Sequence, residues 1–375
     1  HRAEVNGSLE AGKALQYCLD HGLTMACWRS PGGIIHLAVQ HVPATSPSDL
    51  SALAEERNVF IAAPFSSLDG KVSVLRPDVV LSFGPGETSD PEVLRSSLFQ
   101  GTDFSGTTAE PGQDRSSYCQ LVERLKEAIR SGAAEKVVLS RTLGLALDGL
   151  SAADLFLDAC TRNPDAFVCA LQTPEHGLWL GASPERLLRA EDGRVEVDAI
   201  AGTLPGPIAP EDPLSWGPKE RHEQDLVTRA VLDAFLTQGV EGMTIRGPEV
   251  LPAGPVHHLH TRFSGQLVDD ALAGLVQALH PTPAVCGTPR GAAMDLIGRL
   301  EPSPRGLYAG YWGAWRWYGR TELMVNIRCL RIQKELAVLH VGGGITAESD
   351  PDSEWEETEQ KARTWQVPIS SLTIR

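Results

Sequence analysis

The chain has 375 residues, 42% of them hydrophobic, and a formal net charge of −15. That balance allows a large buried core and disfavours nucleic acid or an anionic membrane as the main partner, since both repel an acidic surface. Seven cysteines, odd in number and without CxxC spacing, fit neither a zinc site nor a disulfide framework. Reduced, mostly buried thiols in a cytoplasmic protein are therefore expected. No apolar run approaches the ~18–20 residues of a membrane span, and no signal-peptide pattern opens the chain. Because residue 1 is His rather than Met, removal of some N-terminal residues is expected.

Ser8 to Gly22 reads as a short helix, with Leu15, Cys18 and Leu19 on one face and Gly22 as its stop. Strand-like runs follow at Leu23–Trp28, Ile34–Val42, Val59–Ala63, Lys71–Leu75 and Val79–Phe83, set off by turn residues such as Pro31, Gly32 and Gly33. Gly84 to Arg115 is rich in Gly, Pro, Ser, Thr and Asp, which predicts a long surface connection. From about Ser116, Tyr118, Val122, Leu125 and Ile129 restore helical spacing.

The second half mixes several strands with each helix. Strands are predicted at Val137–Leu147, Ala166–Gln172, Gly177–Ala182, Leu187–Ala190, Val195–Ile200, Val256–Leu267, Tyr308–Trp315, Glu322–Ile332 and Leu336–Val341. Helices are predicted at Ala152–Arg162, Pro218–Gln238, Asp269–Leu279, Gly291–Leu300 and Pro351–Arg363. Strict βαβ alternation is missing, so the expectation is an α+β layered protein with large, mostly antiparallel sheets rather than a doubly wound parallel one.

Seven stretches carry possible chemistry. In EKVVLSR, Lys136 opens an apolar strand. Such a lysine usually snorkels to water, but in a cleft the loss of hydration favours the neutral amine, a usable base. In GASPER, Glu185 sits on a turn after a strand and is either a surface carboxylate or a desolvated proton donor. In KERHE, Glu220 and Glu223 lie three apart at a helix start. Glu354 and Glu357 repeat that spacing in SEWEETEQK, with Lys361 an i,i+4 partner of Glu357. Each acidic run alone reads first as a solvated face, but two such helices meeting across a cleft supply four carboxylates for Mg²⁺. His222 between them is a weak ligand for so hard a site. HPTPAVCGTPR is a turn-rich loop able to wall a pocket, and Arg328 interrupts an apolar strand pattern where a carboxylate partner suits its forked guanidinium. Gly342, Gly343 and Gly344 end another strand, where open N–H groups suit an anion.

Together these residues resemble the chorismate-utilising enzymes, a family that includes isochorismate, salicylate, anthranilate and aminodeoxychorismate synthases. The matching motifs are EKVVLSR, LGASPERLLR, AIAGT, KERHEQDLVT, VHHLHTRFSG, HPTPAVCGTPR, VNIRC, VGGGI and SEWEETEQK, in family order over roughly residues 113–363. Residues 1–112 match only in general strand and helix pattern. The resemblance implies one large α+β domain of two similar halves. Residues 1–112 join the sheet scaffold, residues 113–375 form the catalytic region, the sheets face each other and the site lies in the cleft between them.

It also implies roles. Lys136 matches the base that activates water for attack at ring C2, and Glu185 the acid that protonates the departing C4 hydroxyl. Glu223 and Glu357 match direct Mg²⁺ ligands, with Glu220 and Glu354 as the outer pair. Arg328 and the backbone of Gly342, Gly343 and Gly344 match groups on the pyruvyl carboxylate, Lys361 lies near the ring carboxylate, and Thr203, Ala284 and Tyr308 join the substrate wall. Ammonia-using relatives carry glutamine or a similar residue where Lys136 stands, and aminodeoxychorismate synthases carry lysine where Ala201 stands. Water is thus the expected nucleophile, with no glutaminase subunit.

Salicylate and anthranilate synthases carry threonine at the position of Ala284, so the resemblance is closest to isochorismate synthase, whose product serves siderophore or menaquinone biosynthesis. Salicylate synthase is the alternative, and a divalent-ion-binding protein without turnover is the non-enzymatic one. A monomer is expected, since no helix reads as a dimer seam. Cys286 stands where serine is common. The run Trp312, Trp315, Trp317 and Tyr318-Gly319-Arg320 follows no family pattern and is expected to serve packing.

Overall fold

Several strands are apolar at nearly every position rather than at alternate ones. Phe167–Thr173 is buried at all seven residues and Thr24–Arg29 at five of six. A strand of that kind needs cover on both faces. The computed structural model, which describes residues 2–43, 47–103, 112–206, 210–253, 256–268 and 271–373, supplies it with two antiparallel sheets facing each other and helices outside.

The larger sheet has ten strands. From one edge they run Gly287–Thr288, Lys136–Ala146, Leu336–Ile345, Cys329–Gln333, Gly177–Ser183, Phe167–Thr173, Thr24–Arg29, Ile35–Gln40, Val79–Gly84 and Glu87–Thr88. The nine strands of the other run Glu241–Ala253, Val256–Gln266, Arg194–Pro205, Arg186–Glu191, Arg320–Val325, Tyr311–Trp317, Val59–Ala63, Lys71–Leu75 and Ser48–Asp49. Strands from the first 90 residues thus complete one end of both sheets.

Alternation assigns the two faces. Trp28 points between the sheets, its ring 5.1 Å from Phe60 and 4.8 Å from Trp317 of the opposite sheet. Its neighbours Met25 and Cys27 face outward into a second core, shared with Leu15 and Cys18 of the helix Arg2–Asp20 and with Trp365 of the helix Pro351–Thr373. Trp312 and Trp315 are fully buried, whereas Tyr318 is exposed at a hairpin turn. All seven cysteines are free. No helix among the described residues is long and apolar enough to cross a membrane.

Three sequence expectations are corrected. The predicted strand Glu322–Ile332 is two strands, Arg320–Val325 in one sheet and Cys329–Gln333 in the other, joined by a crossing at Asn326–Arg328. The strand Glu241–Ala253 was not anticipated. It is an edge strand with two register shifts, which tolerates Gly247 and Pro248 and so lacks clean alternation. The connection Gly84–Arg115 contains the short helix Glu92–Ser96, and its residues 104–111 lie outside the described residues. Likewise the predicted helix at Asp269 is described as Leu272–Leu279, with residues 269–270 outside.

Candidate active site

The chain crosses between sheets twice side by side, and the crossings build one end of a cavity. The first runs from Gly177–Ser183 through Pro184 and Glu185 into Arg186–Glu191, and the second carries Ile327 and Arg328. Backbone bonds lock them together, Val325 N donating to Glu185 O at 3.0 Å and Ala182 N to Arg328 O at 3.1 Å. Ser183 adds its hydroxyl, which donates to Val325 O at 2.6 Å and accepts from Glu185 N at 3.2 Å. Arg328 therefore does not stand in a strand but at a corner with φ +48°, a conformation non-glycine residues seldom adopt without tertiary support.

Lys136, Glu185, Thr203, Glu223, Ala284, Tyr308, Arg328, Gly342, Gly344, Glu357 and Lys361 all line this one cavity. Each wall has its own support. Gln224, buried behind Glu223, accepts from Ala201 N at 2.9 Å and donates to Ala199 O at 3.0 Å, tying the helix Pro218–Thr237 to the strand Arg194–Pro205. Arg141 grips the far side of the helix Pro351–Thr373: its guanidinium lies 3.8 Å over the Trp355 ring, and it donates to Thr358 Oγ1 at 2.7 Å and to Glu359. Glu357 and Lys361 are left facing the cavity. The buried Arg305 donates to Val285 O at 2.7 Å and Val138 O at 2.6 Å, fixing the loop that carries Ala284.

Glu185 is 6% exposed, and its carboxyl is pushed up to about 8. Burial is the main cause, the negative charge of Asp198 adds to it, and Lys136 and Lys361 oppose it. It is thus a carboxylic acid that keeps its proton near neutral pH. Glu357 behaves oppositely. Burial alone raises it, but the charge and hydrogen bond of Lys361, with help from Lys219 and Lys136, hold it below the usual carboxylate range.

Two histidines given no role in the sequence analysis also face the cavity. His258 meets Thr203 Oγ1 and Gly202 O, both at 3.2 Å from Nδ1, and His340 stacks on Tyr308 at 5.4 Å. Burial drives His258 down to about 4 and His340 to about 3, with nearby arginines adding to both, so both imidazoles are neutral. The only sequence signal was placement: His258 faces Thr203 across a strand pair, and His340 precedes the glycines.

The three glycines do not form an open anion cradle at a strand end. They lie within the strand Leu336–Ile345, paired with Ser140, Leu139 and Val138. Their value is the missing side chain. A Cβ on Gly342 falls 2.7 Å from Tyr308 Oη, one on Gly344 falls 2.6 Å from Lys136 Cε, and one on Gly343 falls 3.0 Å from Glu354 Oε2. Because a strand alternates, Gly343 turns to the opposite face and does not line the cavity.

Glu354 and Glu220 are also outside the cavity lining. Glu354 is buried, accepting from Lys219 Nζ at 2.9 Å and Ser349 Oγ at 2.7 Å, while its Oε2 has no hydrogen-bond partner. Burial raises it, Lys219 opposes and Glu357 adds. Glu220 is turned back over Gly217 at the start of its helix, so close that a Cβ there collides with its carboxylate. His222 is exposed.

Among the described residues no three His, Cys, Asp or Glu side chains converge as a metal-binding group. Instead Glu223 is held by Lys136 at 3.4 Å, Glu357 by Lys361 at 2.7 Å and Glu354 by Lys219 at 2.9 Å. An all-carboxylate donor set with one buried, unsatisfied oxygen fits a hard divalent cation in chemistry.

Comparison with known proteins gives the family. The family described as chorismate binding enzyme matches residues 91–366. Isochorismate synthase EntC of Escherichia coli K12 is 32% identical over 260 residues, covering 67% of this chain and 66% of that protein. Anthranilate synthase component 1 1 of Halobacterium salinarum is also 32% identical, over 72% of this chain and 53% of its own. This chain therefore spans less than two thirds of either relative. Among solved structures, the putative 2,3-dihydroxybenzoate-specific isochorismate synthase DhbC of Bacillus anthracis superposes with a TM-score of 0.76 at 25% identity, covering 95% of this chain and 99% of that one.

Proposed function

The chain belongs to the chorismate binding enzyme family, and from that premise we propose that it converts chorismate to isochorismate by adding water at C2 as the C4 hydroxyl departs. Relatives with different products match at the same 32%, so the choice rests on residues. The observation that carries it is the pairing in one cavity of a buried amine, Lys136, with a carboxyl, Glu185, that still holds its proton near neutral pH.

Lys136 takes the proton of the attacking water, and Glu185 gives its proton to the C4 oxygen, which leaves as water. One C–O bond forms, the ring double bond shifts, one C–O bond breaks, and the atoms balance as an isomerisation. Arg328 receives the enolpyruvyl carboxylate, and Lys361 lies by the ring carboxylate. Glu223 and Glu357 are the proposed inner ligands of Mg²⁺, with Glu354, and Glu220 once turned inward, as outer ones. Bound there, the ion would offset the carboxylate charge and supply a positive site for the ring carboxylate. Ala201 puts only a methyl where an amine nucleophile is needed, which supports water.

Ala284 bears on the next step. Its methyl lines the cavity wall and offers no hydroxyl to hold the enolpyruvyl chain for elimination, so the reaction is expected to end at isochorismate. The test follows chorismate consumption with Mg²⁺ in a pyruvate-coupled assay and by chromatography. Isochorismate without pyruvate is expected, with turnover lost in excess chelator. Stoichiometric pyruvate with salicylate replaces this reading by salicylate synthase, and no consumption at all by the ion-binding protein.

The pH dependence follows from the acid. Glu185 must be protonated to donate, so kcat/KM falls as pH rises through about 8. Asp198→Asn removes the negative charge that disfavours ionisation, so the alkaline limb moves to lower pH. A profile flat through this range in both proteins removes Glu185 as the donor.

A further inference from the structure

Lys136 and Glu223 come from different elements, a strand of the ten-stranded sheet and the helix Pro218–Thr237, and meet in the cavity wall with Nζ 3.4 Å from Oε2. Their side chains are only 3% and 13% exposed. Gly344 permits the meeting, since a Cβ there falls 2.6 Å from Lys136 Cε and 3.5 Å from Glu223 Oε1. A buried charge left without a partner is costly, so neither group is idle: the amine occupies the carboxylate assigned above to a divalent cation. The other two lysine–glutamate pairs of the site differ. Lys361–Glu357 is an i,i+4 pair on one helix with both side chains about a quarter exposed, and in Lys219–Glu354 the glutamate is buried but the lysine is 41% exposed, so water reaches the lysine of each.

We propose that Lys136 is a built-in competitor for the divalent cation, holding Glu223 until the cation takes it, so that cation loading is what frees the amine to face the cavity. The inference rests on the cation site of the proposed function and assigns Lys136 a second part in it. Two events that compete for one carboxylate are thermodynamically linked, and linkage acts in both directions. Removing the amine must therefore tighten cation binding, whatever happens to turnover.

The experiment measures Mn²⁺ binding to substrate-free protein by the loss of the free-ion paramagnetic resonance signal. It compares wild type, Lys136→Met, Lys136→Gln and Arg328→Met. Arg328 lines the same cavity, so its variant removes one positive charge without touching the Glu223 pair. Lys136→Met is expected to bind roughly tenfold more tightly than wild type, with Lys136→Gln close behind and Arg328→Met gaining far less. Thermal melting of each variant checks the fold, and Lys136→Gln serves if the methionine variant fails it. Unchanged or weaker binding in a folded Lys136 variant overturns the inference, as does an equal gain in Arg328→Met, which assigns the effect to the general field. Absence of Mn²⁺ binding in wild type overturns the cation site itself, a distinct result.

Discussion

Glu185→Gln should lower kcat about 10²- to 10⁴-fold while leaving chorismate affinity and thermal stability near wild type. The reasoning starts from the protonation state. A carboxyl pushed up to about 8 is neutral at pH 7, so an amide of the same shape replaces a neutral group with a neutral group. No side-chain hydrogen bond of Glu185 is seen among the described residues, and its turn is held by its own backbone and by Ser183, both unchanged in the variant. What the amide lacks is a proton acidic enough for the departing oxygen. Calorimetry of chorismate binding, beside a chromatographic assay for isochorismate, separates the two effects. A folded variant that binds chorismate and keeps wild-type turnover contradicts the acid role. One that fails to bind makes Glu185 a substrate anchor instead.

Most of the fold was legible because burial in this protein follows local pattern. The helix Ala152–Arg162 came out to the residue, and Lys136–Ala146 and Phe167–Thr173 within one. The split strand failed for a separate reason: the sheet to which a strand belongs leaves no local trace. Val325-Asn326-Ile327-Arg328-Cys329 keeps an apolar rhythm while the chain changes sheets, so the break that puts Arg328 into the cleft was read as strand. The candidate site residues were legible from motifs, but their directions were not. Glu220 and Glu223 share a helical face on paper, yet only Glu223 reaches the cavity, because the first turn of the helix folds Glu220 back over Gly217. The supports Gln224 and Arg305 are buried polar residues fixed by backbone groups distant in sequence, and no short motif announces such partners.

The glycines show how far the site depends on side chains that are missing. Gly344→Ala should fold and yet lose most activity, approaching the loss expected for Lys136→Ala, about 10²- to 10⁴-fold for a general base. The strand itself tolerates alanine, and the three atoms nearest the added methyl all belong to side chains: Lys136 Cε at 2.6 Å, Lys136 Nζ at 3.2 Å and Glu223 Oε1 at 3.5 Å. The first of these approaches cannot stand and the second is tight, so the lysine side chain must shift. A flexible end can do so at modest cost to stability, but Lys136 is 2% exposed, and a side chain wedged aside by the methyl cannot turn to the cavity once the cation frees its amine. Gly342→Ala is the contrasting variant. Its methyl falls 2.9 Å from the backbone oxygen of Leu139 as well as 2.7 Å from Tyr308 Oη, so it strains the sheet and should lower the melting temperature more than Gly344→Ala does. Melting curves and kcat for the two variants decide the matter. A folded Gly344→Ala protein with wild-type kcat shows that the amine need not sit where the glycine allows it, and Lys136 then loses its place in the chemistry.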